Sequence, residues 1–299
     1  MKLFRKGKVR DVYDMGEELL IVASDRVSAY DVVLPDTIPR KGESLTALSE
    51  FWFTKTRDIM PNHFVKRVDG RSIRVAKAER VDIEWVIRSH IYGSMWRAYT
   101  KGMRNFGGLS LPNGLRMAEE LPQIILTPTT KSDIGHDLDI NKSEAVDQGL
   151  VSDEEWRVLE EASLRLYEFY RDEARRRGIV VPDFKVEYGR YRNTLIQIDE
   201  PPTHDSARFW SQKYFKVGEQ QESHALDKEF LRAFLREHDG FTGEGDPPRL
   251  PKLVIEEVSK RCLGAYEVLS GNKQIEDLQL RSLDQVLAEL GGESRSQKI

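Results

Sequence analysis

The strongest constraint on the fold comes from the segment GIVVPDFKVEYGRYRNTLIQIDE, residues 178–200. Apolar and polar residues alternate on either side of residues 190–193, a pattern that predicts a β-hairpin. Side chains of a strand alternate between its two faces, so Lys185 and Glu187 share one face. The opposite, apolar face is formed by Phe184, Val186 and Tyr188. The hairpin therefore carries charged side chains on one side and core residues on the other.

The charged face of this hairpin allows two interpretations. Asp199 and Glu200 stand at the end of the partner strand, so Asp199 is expected to converge with Glu187. Two carboxylates of this kind suit a magnesium ion that keeps several waters and bridges phosphates. A cross-strand ladder of salt bridges that includes Lys185 explains the same residues without a ligand.

The first third of the chain is predicted to be mostly β. KVRDVYD and LLIVASD flank a turn at MGEE and predict a hairpin, and short strands are expected within residues 64–76. A helix is predicted over residues 45–59, before the Pro61-Asn62 turn. Residues 101–148 are rich in Gly, Pro, Asn and Asp and are interpreted as a long functional loop.

The remaining elements are predicted to be helices that pack on this body. Ser152 and Glu155 form a capping box for a helix that closes at Gly178. Two more apolar stripes predict packing helices, one through Leu226, Phe230 and Ala233 and one from Ile255 to Leu269. The last nine residues, GGESRSQKI, are expected to be a frayed tail.

Composition excludes several classes of protein. Among 299 residues, 46 Lys and Arg against 50 Asp and Glu give a net charge of −4, so no general attraction to nucleic acid or anionic lipid is expected. The sequence lacks an uncharged apolar run of the roughly 18 residues that span a membrane. Cys262 is the single cysteine, and the N-terminal segment lacks a secretory signal, so a cytoplasmic protein is expected.

Four further clusters place cations and small residues together. In FRKGKVR, Gly7 lets backbone amides approach a phosphate while Lys8 and Arg10, on one strand face, neutralise it; a solvated basic terminus is the alternative. In IEWVIRSHIYGS, Arg88 precedes Gly93-Ser94, which suits an anion site or a plain strand end. The other two clusters are SDRVSAYD with RKGES, which turn chemistry also explains, and THDSARFW with Asp205, Ser206 and Arg208.

The segment TPTTKSDIGHD contains Lys131, Asp133 and His136. Zinc is disfavoured there because the sequence has no second histidine at ligand spacing. Nucleotide-binding and catalytic signatures of other kinds are absent from the sequence, including the P-loop, GxGxxG, GxSxG, HExxH and CxxC.

Taken in order, these segments resemble the phosphoribosylaminoimidazole-succinocarboxamide synthase (SAICAR synthetase) family, in its longer form. The resemblance runs through GKVRDVYD, SDRVSAYDVVLPDTIPRKGESLTALSEFWF, IEWVIRSHIYGS, LTPTTKSDIGHD, PDFKVEYG and DEPPTHDSARFW. It implies an α+β, two-lobed ATP-binding fold with a kinase-like N-terminal β lobe. The lobes are expected over residues 1–84 and 85–220, with a C-terminal helical segment over 221–299.

The resemblance also implies an activity. ATP, 5-amino-1-(5-phosphoribosyl)imidazole-4-carboxylate and L-aspartate would give ADP, phosphate and the succinocarboxamide, through an acyl phosphate, in purine biosynthesis. These small molecules, with Mg²⁺, are the partners it implies. Phosphoryl transfer of this type relies on positioning and electrostatic stabilisation.

The family pattern assigns roles to residues of this chain. Lys185 and Lys131 are matched to catalysis, with Asp133 as a further contact beside Lys131. Glu187 and Asp199 are matched to magnesium. The residues matched to ATP are Gly7, Lys8, Arg10, Asp82, Glu187 and Asp199. The residues matched to the imidazole nucleotide are Arg88, Ser94, Asp205, Ser206 and Arg208.

Three positions depart from the family pattern: Asp82 stands where Pro is usual, Tyr92 where Ala or Thr is usual, and Tyr188 where Phe is usual. Tyr92 is therefore bulkier beside the sugar-phosphate pocket. Three rival functions remain: a kinase, another carboxylate–amine ligase and a non-catalytic nucleotide-binding protein. The kinase is disfavoured because HRD, DFG and APE motifs are absent from the sequence.

Overall fold

The computed structural model describes residues 1–131 and 138–296, in which two five-stranded antiparallel sheets, three two-stranded sheets and a set of helices form the fold. In chain order the strands are β1 (Lys2–Lys6), β2 (Arg10–Asp14), β3 (Glu18–Ala23), β4 (Arg26–Ala29), β5 (Val32–Thr37), β6 (Phe64–Arg67), β7 (Ser72–Ala76), β8 (Glu79–His90), β9 (Asn105–Phe106), β10 (Leu109–Ser110), β11 (Glu120–Leu126), β12 (Thr129–Thr130), β13 (Ile179–Val180), β14 (Asp183–Tyr191), β15 (Thr194–Ile198) and β16 (Trp210–Ser211). The helices are α1 (Lys41–Lys55), α2 (Gly93–Thr100), α3 (Lys142–Asp147), α4 (Asp153–Arg175), α5 (Glu229–His238), α6 (Lys252–Leu269) and α7 (Leu283–Ser296).

The first sheet has the order β1-β2-β3-β7-β6. The predicted hairpin is confirmed, because β2 pairs antiparallel with β3 from Arg10 opposite Ala23 to Asp14 opposite Leu19. Its turn passes through Gly16, whose φ of 91° suits glycine. The strands predicted within residues 64–76 are also confirmed as β6 and β7, whereas β1 adds an edge strand that the sequence pattern did not reveal.

The second sheet has the order β11-β8-β14-β15, and β12 pairs with the start of β8. The predicted hairpin is confirmed as β14 and β15, joined by Arg192 and Asn193, which both have positive φ. Helix α4 packs on the apolar face of this sheet, and the capping box of Ser152 and Glu155 that begins it is confirmed. The charged face of β14 lies on the opposite side from α4, and Lys185 on that face keeps 30% of its side-chain surface exposed.

Several predicted boundaries were wrong. Residues 101–148 were interpreted as a long loop, but the described part contains β9 to β12 and α3. Strands β11 and β12 pair with β8, which local composition does not encode, and β9 pairs with β10. Helix α1 begins four residues before the predicted start, at Lys41. The predicted frayed tail is helical as far as Ser296, since α7 continues through Gly291.

The two-lobed α+β fold is confirmed in its mixture of antiparallel sheets and separate helices. Strand β8 belongs as a whole to the second sheet, and the expected boundary between residues 84 and 85 falls inside it. The division into residues 1–84, 85–220 and 221–299 stays a prediction. Within the described ranges, each helix is too short or too polar to cross a bilayer.

Candidate active site

Two lysines and two glutamates meet on the open face of the second sheet. The register of β14 against β8 places Glu187 directly opposite Glu84. Lys185 Nζ donates to Glu84 Oε2 at 2.7 Å and lies 3.5 Å from Glu187 Oε1. Lys131, just after β12, donates to Glu187 Oε1 at 2.5 Å and to Glu84 Oε2 at 3.1 Å. We call Glu84, Lys131, Lys185 and Glu187 the central cluster.

Burial and opposing charges set the ionisation of the central cluster. Burial alone would lower the pKa of Lys185, but Asp199, Glu187 and Glu84 outweigh it and raise that pKa well above its ordinary value. Burial raises the pKa of Glu187, and the nearby charge of Asp199 raises it further. Burial would also lower the pKa of Lys131, but Glu187 and Glu84 outweigh it and raise that pKa, so both ammonium groups are charged near neutral pH. The Lys185 side chain keeps 30% of its surface exposed, so it remains accessible to a ligand.

Asp199 lies beside the central cluster because it follows β15, the hairpin partner of β14. Its φ of 60° is left-handed, a conformation that few residues other than glycine adopt. Residues 61–63 hold this strand end, since His63 N–H donates to Gln197 C=O and Gln197 N–H donates to Pro61 C=O. Burial would raise the pKa of Asp199, but Lys185 and Arg10 outweigh burial and keep it low.

Arg10 links the first sheet to this region. Its guanidinium donates to the carboxylate of Glu200, next to Asp199. Burial would lower the pKa of Arg10, but Glu200 outweighs burial and raises it. Asp199 contributes in the same direction. The first strand hairpin therefore delivers one cation to the edge of the central cluster.

Of the remaining residues predicted at the ATP site, Gly7 and Lys8 lie in the turn that precedes Arg10. Lys8 falls in the turn between β1 and β2 rather than on a strand face with Arg10, so that prediction was wrong. The Lys8 ammonium instead contacts exposed Asp31 at 2.6 Å. Gly7 N–H donates to Arg10 C=O at 2.7 Å, and a Cβ at Gly7 would lie 2.8 Å from that oxygen, so this tight turn requires glycine.

Asp82 lies on β8, two residues before Glu84 and therefore on the same face. Its backbone carbonyl accepts from Lys131 N–H at 3.0 Å, and its carboxylate accepts from Arg80 at 2.7 Å. Asp133 and His136 lie outside the described residues, so their predicted contacts stay predictions.

A second cluster forms at the far end of the same sheet face. Arg208 Nη1 donates to Asp183 Oδ2 at 2.6 Å, and Arg88 Nη1 lies 3.8 Å from the same oxygen. Arg88 Nε also donates to Thr127 Oγ1 at 3.0 Å. Asp183 stands opposite Arg88 in the pairing of β14 with β8. We call Arg88, Asp183 and Arg208 the arginine cluster.

The arginine cluster borders the start of α2. Gly93 has a φ of 57°, and a Cβ there would lie 2.5 Å from Arg208 Nη2, so glycine is needed for this approach. Ser94 and Arg88 line a cavity of about 900 Å³ that extends toward α4. The predicted proximity of Arg88, Ser94 and Arg208 therefore matches the geometry, while their role in substrate binding stays a prediction.

Asp205 and Ser206 are engaged within the protein. Asp205 Oδ2 accepts from buried Lys41 at 2.5 Å. Ser206 Oγ accepts from Thr203 N–H at 2.9 Å and donates to Pro201 C=O at 2.8 Å. These contacts fix the loop that carries Arg208. Their predicted contact with substrate stays a prediction.

Two residues of the site were missed by the sequence reasoning, although a signal for each was present. Asp183 lies two residues before Lys185, so the alternation of β14 puts it on the charged face. Glu84 lies four residues before Arg88 on β8, again on one face. Extending the period of two along each strand would have found both.

The donor set is compatible with a divalent metal. Burial raises the pKa of Glu187, and the nearby charge of Asp199 raises it further, so the two carboxylates are close enough to repel each other. A cation between them would relieve that repulsion. The described residues contain no group of three or more side chains placed to hold a metal ion. A bound ion would therefore need additional ligands from water or phosphate.

The fold and the two clusters together define a class of protein: a two-lobed α+β enzyme whose cleft gathers cations and carboxylates around anionic substrates. The SAICAR synthetase family model matches residues 3–246. The chain belongs to that family, as the sequence predicted. It is accordingly an ATP-using ligase of purine biosynthesis.

Relatives and solved structures agree with this assignment. The phosphoribosylaminoimidazole-succinocarboxamide synthase of Thermodesulfovibrio yellowstonii is 38% identical over 90% of this chain and 96% of its own length. The one from Bacteroides fragilis is 39% identical over 91% and 88%. Among structures, the Saccharomyces cerevisiae SAICAR synthase complexed with SAICAR has a TM-score of 0.80 at 34% identity, covering 91% of this chain and 95% of that one. A type-2 SAICAR synthetase in complex with ADP has a TM-score of 0.68 at 25% identity, covering 90% and 98%.

Proposed function

We propose that this chain joins L-aspartate to 5-amino-1-(5-phosphoribosyl)imidazole-4-carboxylate, with ATP giving ADP and phosphate. The observation that carries the proposal is the placement of the central and arginine clusters on one sheet face. Glu84 and Arg88 are four residues apart on β8, which at roughly 3.3 Å per residue separates them by about 13 Å. A nucleotide monophosphate can extend between the two clusters, with its phosphate at one and its carboxylate at the other.

The arginine cluster supports binding of the ribose phosphate. Arg88 and Arg208 present two guanidinium groups that share the carboxylate of Asp183, and Arg208 also lies 3.5 Å from Glu229 Oε1. A guanidinium matches a phosphate with paired hydrogen bonds, so two neighbouring guanidinium groups suit an anion. Ser94 at the N-terminal turn of α2 lies on the same cavity and supplies a hydroxyl donor.

The central cluster supports the chemistry on the carboxylate and the γ-phosphate. Lys185 and Lys131 carry ammonium groups that can reorient from Glu84 and Glu187 toward phosphoryl oxygens. Their role is to hold two mutually repelling anions in line and to stabilise the charge on the transferring group. Glu84 in turn holds both ammonium groups in place.

Magnesium is part of the proposal. Glu187 and Asp199 would hold Mg²⁺ together with waters and ATP phosphates, and Arg10 would stand beside the phosphates. When bound, the ion supplies charge neutralisation between the ATP phosphates. We also propose that the partners are small molecules alone and that the enzyme works in the reducing cytoplasm, where a buried free thiol such as Cys262 persists.

An acyl phosphate is the proposed intermediate. An oxygen of the imidazole carboxylate attacks the γ-phosphorus, the bond to the ADP oxygen breaks, and the aspartate amine then displaces phosphate to form the amide. The carboxylate oxygen therefore leaves in inorganic phosphate. Substrate labelled with ¹⁸O in that carboxylate should transfer one ¹⁸O to phosphate, and unlabelled phosphate would overturn this route.

The experiment that tests the function measures ADP release by the purified protein with Mg²⁺, ATP and the imidazole nucleotide, with and without L-aspartate. Mass analysis identifies the product. Release that requires all three substrates and gives the succinocarboxamide supports the proposal. A product formed with another amine but not with L-aspartate would indicate a different ligase. Normal nucleotide binding without any product would favour a non-catalytic protein.

Matched variants connect this assay to the site. Lys185→Met removes an ammonium group of the central cluster, and Lys252→Met removes one from the exposed surface of α6. Activity should be lost in the first variant and kept in the second. Equal activity in both variants would show that the reaction does not depend on the Lys185 ammonium of the central cluster.

A further inference from the structure

Tyr92 lies directly behind the arginine cluster, although it contributes no charge. It is the N-cap residue of α2, and its side chain is 3% exposed. The ring packs edge-on against Trp210, with centroids 4.8 Å apart. Burial raises the pKa of Tyr92 further above its ordinary value, so its hydroxyl stays neutral. Tyr92 therefore acts through the shape and the face of its ring and through a neutral hydroxyl.

The ring of Tyr92 contacts the guanidinium of Arg208. The guanidinium carbon lies 5.5 Å from the ring centroid, within the range of a cation–π interaction. Arg208 Nη2 is also 3.5 Å from Glu229 Oε1, and Gly93 leaves just enough space for that end of the group. Arg208 Nε is buried and finds no hydrogen-bond acceptor within the described ranges. The guanidinium is therefore held by Asp183 and Glu229 at its Nη atoms and by the ring of Tyr92 at its face.

The hydroxyl of Tyr92 contacts a different segment. It accepts from Gln221 N–H at 3.1 Å. The Gln221 side chain in turn donates to Lys216 C=O at 2.7 Å and to Glu219 C=O at 2.6 Å. The hydroxyl therefore anchors the turn at residues 216–221, and the ring faces the arginine cluster. Replacing the hydroxyl and replacing the ring should have separate effects.

We propose that Tyr92 is a positioning residue whose ring fixes the Arg208 guanidinium for the phosphate of the imidazole nucleotide and thereby sets the affinity for that substrate. The proposal rests on the proposed function, in which Arg208 binds that phosphate. A cation held against an aromatic face loses orientational freedom before the substrate arrives. The ring acts on binding, and the chemical step at the central cluster proceeds as before.

The test compares Tyr92→Leu, which removes the ring, with Tyr92→Phe, which removes the hydroxyl alone. Tyr92→Leu should raise the KM for the imidazole nucleotide by roughly 5- to 30-fold, the range of a desolvated cation–π contact. The kcat and the KM values for ATP and L-aspartate should stay within about twofold of wild type. Tyr92→Phe should have the wild-type KM for the imidazole nucleotide, because this variant retains the ring.

Tyr99→Leu is the matched control, since Tyr99 is also a buried tyrosine of α2 and also faces an arginine, Arg104 at 4.0 Å. It should lower the melting temperature without raising the nucleotide KM. An unchanged nucleotide KM in Tyr92→Leu would overturn the proposal. A uniform rise in all three KM values, or the same rise in Tyr99→Leu, would also overturn it by indicating a general loss of packing.

A binding measurement separates this proposal from the proposed function. Calorimetric titration with ribose 5-phosphate needs no turnover, so it measures binding of the sugar phosphate without the ligase reaction. Weaker binding in Tyr92→Leu, with wild-type binding in Tyr92→Phe, supports positioning even if the wild-type protein forms no succinocarboxamide. Equal binding in all three proteins would overturn the positioning role while leaving the ligase assay to judge the function.

Discussion

Lys185 Nζ donates to Glu84 Oε2 across 2.7 Å and so joins β14 to β8 at the centre of the candidate active site. Glu84 accepts from Lys131 as well, which places two ammonium groups on one carboxylate. Burial would raise the pKa of Glu84, but Lys185 and Lys131 outweigh it and hold that pKa low. Glu84 therefore keeps the lysines charged and in place until anionic substrates arrive.

Lys185→Met is expected to lower kcat by at least about 100-fold, the usual effect of removing one preorganised charge from a transition state. The KM for the imidazole nucleotide should change much less, because the arginine cluster is intact. Steady-state ADP release with L-aspartate at saturation measures both constants. A variant that retains more than a tenth of the wild-type kcat would contradict the assigned role.

Asp183→Asn is expected to raise the KM for the imidazole nucleotide by roughly 10- to 100-fold, because Arg208 loses a charge-assisted hydrogen bond and Arg88 loses its ion pair at 3.8 Å. The asparagine keeps the shape of the side chain. The KM for ATP should stay close to wild type. Asp172→Asn, on the exposed side of α4, serves as the control. Equal changes in the KM for both nucleotides would argue against a local effect.

The site shows how far local patterns reach. Alternation along β14 predicted that Lys185 and Glu187 share a face, because strand geometry fixes this without any partner. The pairing of β14 with β8 brings Glu84 to Glu187 across about a hundred residues of chain, and no turn between them specifies that register. Long-range pairing is set by packing against α4, so the meeting of the four side chains was not predictable from either segment alone.

In the fold too, elements set by local interactions were predicted and elements set by distant contacts were missed. The helix α4 was predicted with its cap because Ser152 and Glu155 interact within one turn. Within residues 101–131, β9 and β10 were missed because each has only two residues, and β11 and β12 were missed because they are held by pairing with β8. In the same way, the glycines near the C-terminus indicated fraying, yet α7 packs through buried Val286 on α5 and continues past them.

Asp199→Asn is expected to raise the Mg²⁺ concentration needed for half-maximal activity, because one of two carboxylates proposed to hold the ion loses its charge. The increase should be roughly 10-fold or more by analogy with altered metal-site partners. Titration of ADP release against free Mg²⁺ at fixed ATP measures it. Asp36→Asn, a surface partner of Arg249, should leave the titration unchanged. The assignment fails if both variants titrate like wild type.

The free energy of unfolding should decrease as the pH falls from 6.5 to about 4, because buried His63 resists protonation in the folded protein. Burial lowers the pKa of His63 to about 4 from an ordinary value of 6.5. Over this window the unfolded chain binds a proton that the folded protein rejects, so stability is complete above pH 6.5 and decreases as the pH falls. The shift corresponds to a loss of about 3 kcal/mol at its acid limit.

Urea unfolding at pH 7.0, 5.5 and 4.5 measures the effect. His63→Gln should lose less stability over this range than wild type, because its side chain does not titrate. His90, whose pKa burial also lowers to about 4, leaves a residual slope in the variant. Parallel curves for wild type and His63→Gln would contradict the prediction.

Glu257→Ala is expected to lower the free energy of unfolding by about 3–5 kcal/mol, because it leaves Arg261 charged and buried without its carboxylate. Glu257 is 0% exposed and accepts from Arg261 and Arg281, each at 2.8 Å. Arg261 itself is 1% exposed and stacks on Phe230 at 3.6 Å, so water does not replace the missing partner. Urea unfolding at pH 7 measures the change, with Lys260→Ala as the control, since that ammonium is half exposed and its loss should cost about 1 kcal/mol or less.

Because the contacts of Glu257 lie on α6 and in the segment before α7, folded Glu257→Ala at low temperature should release ADP at the wild-type rate. A loss of activity in protein that is still fully folded would show that α6 acts on the active site and is more than a packing element.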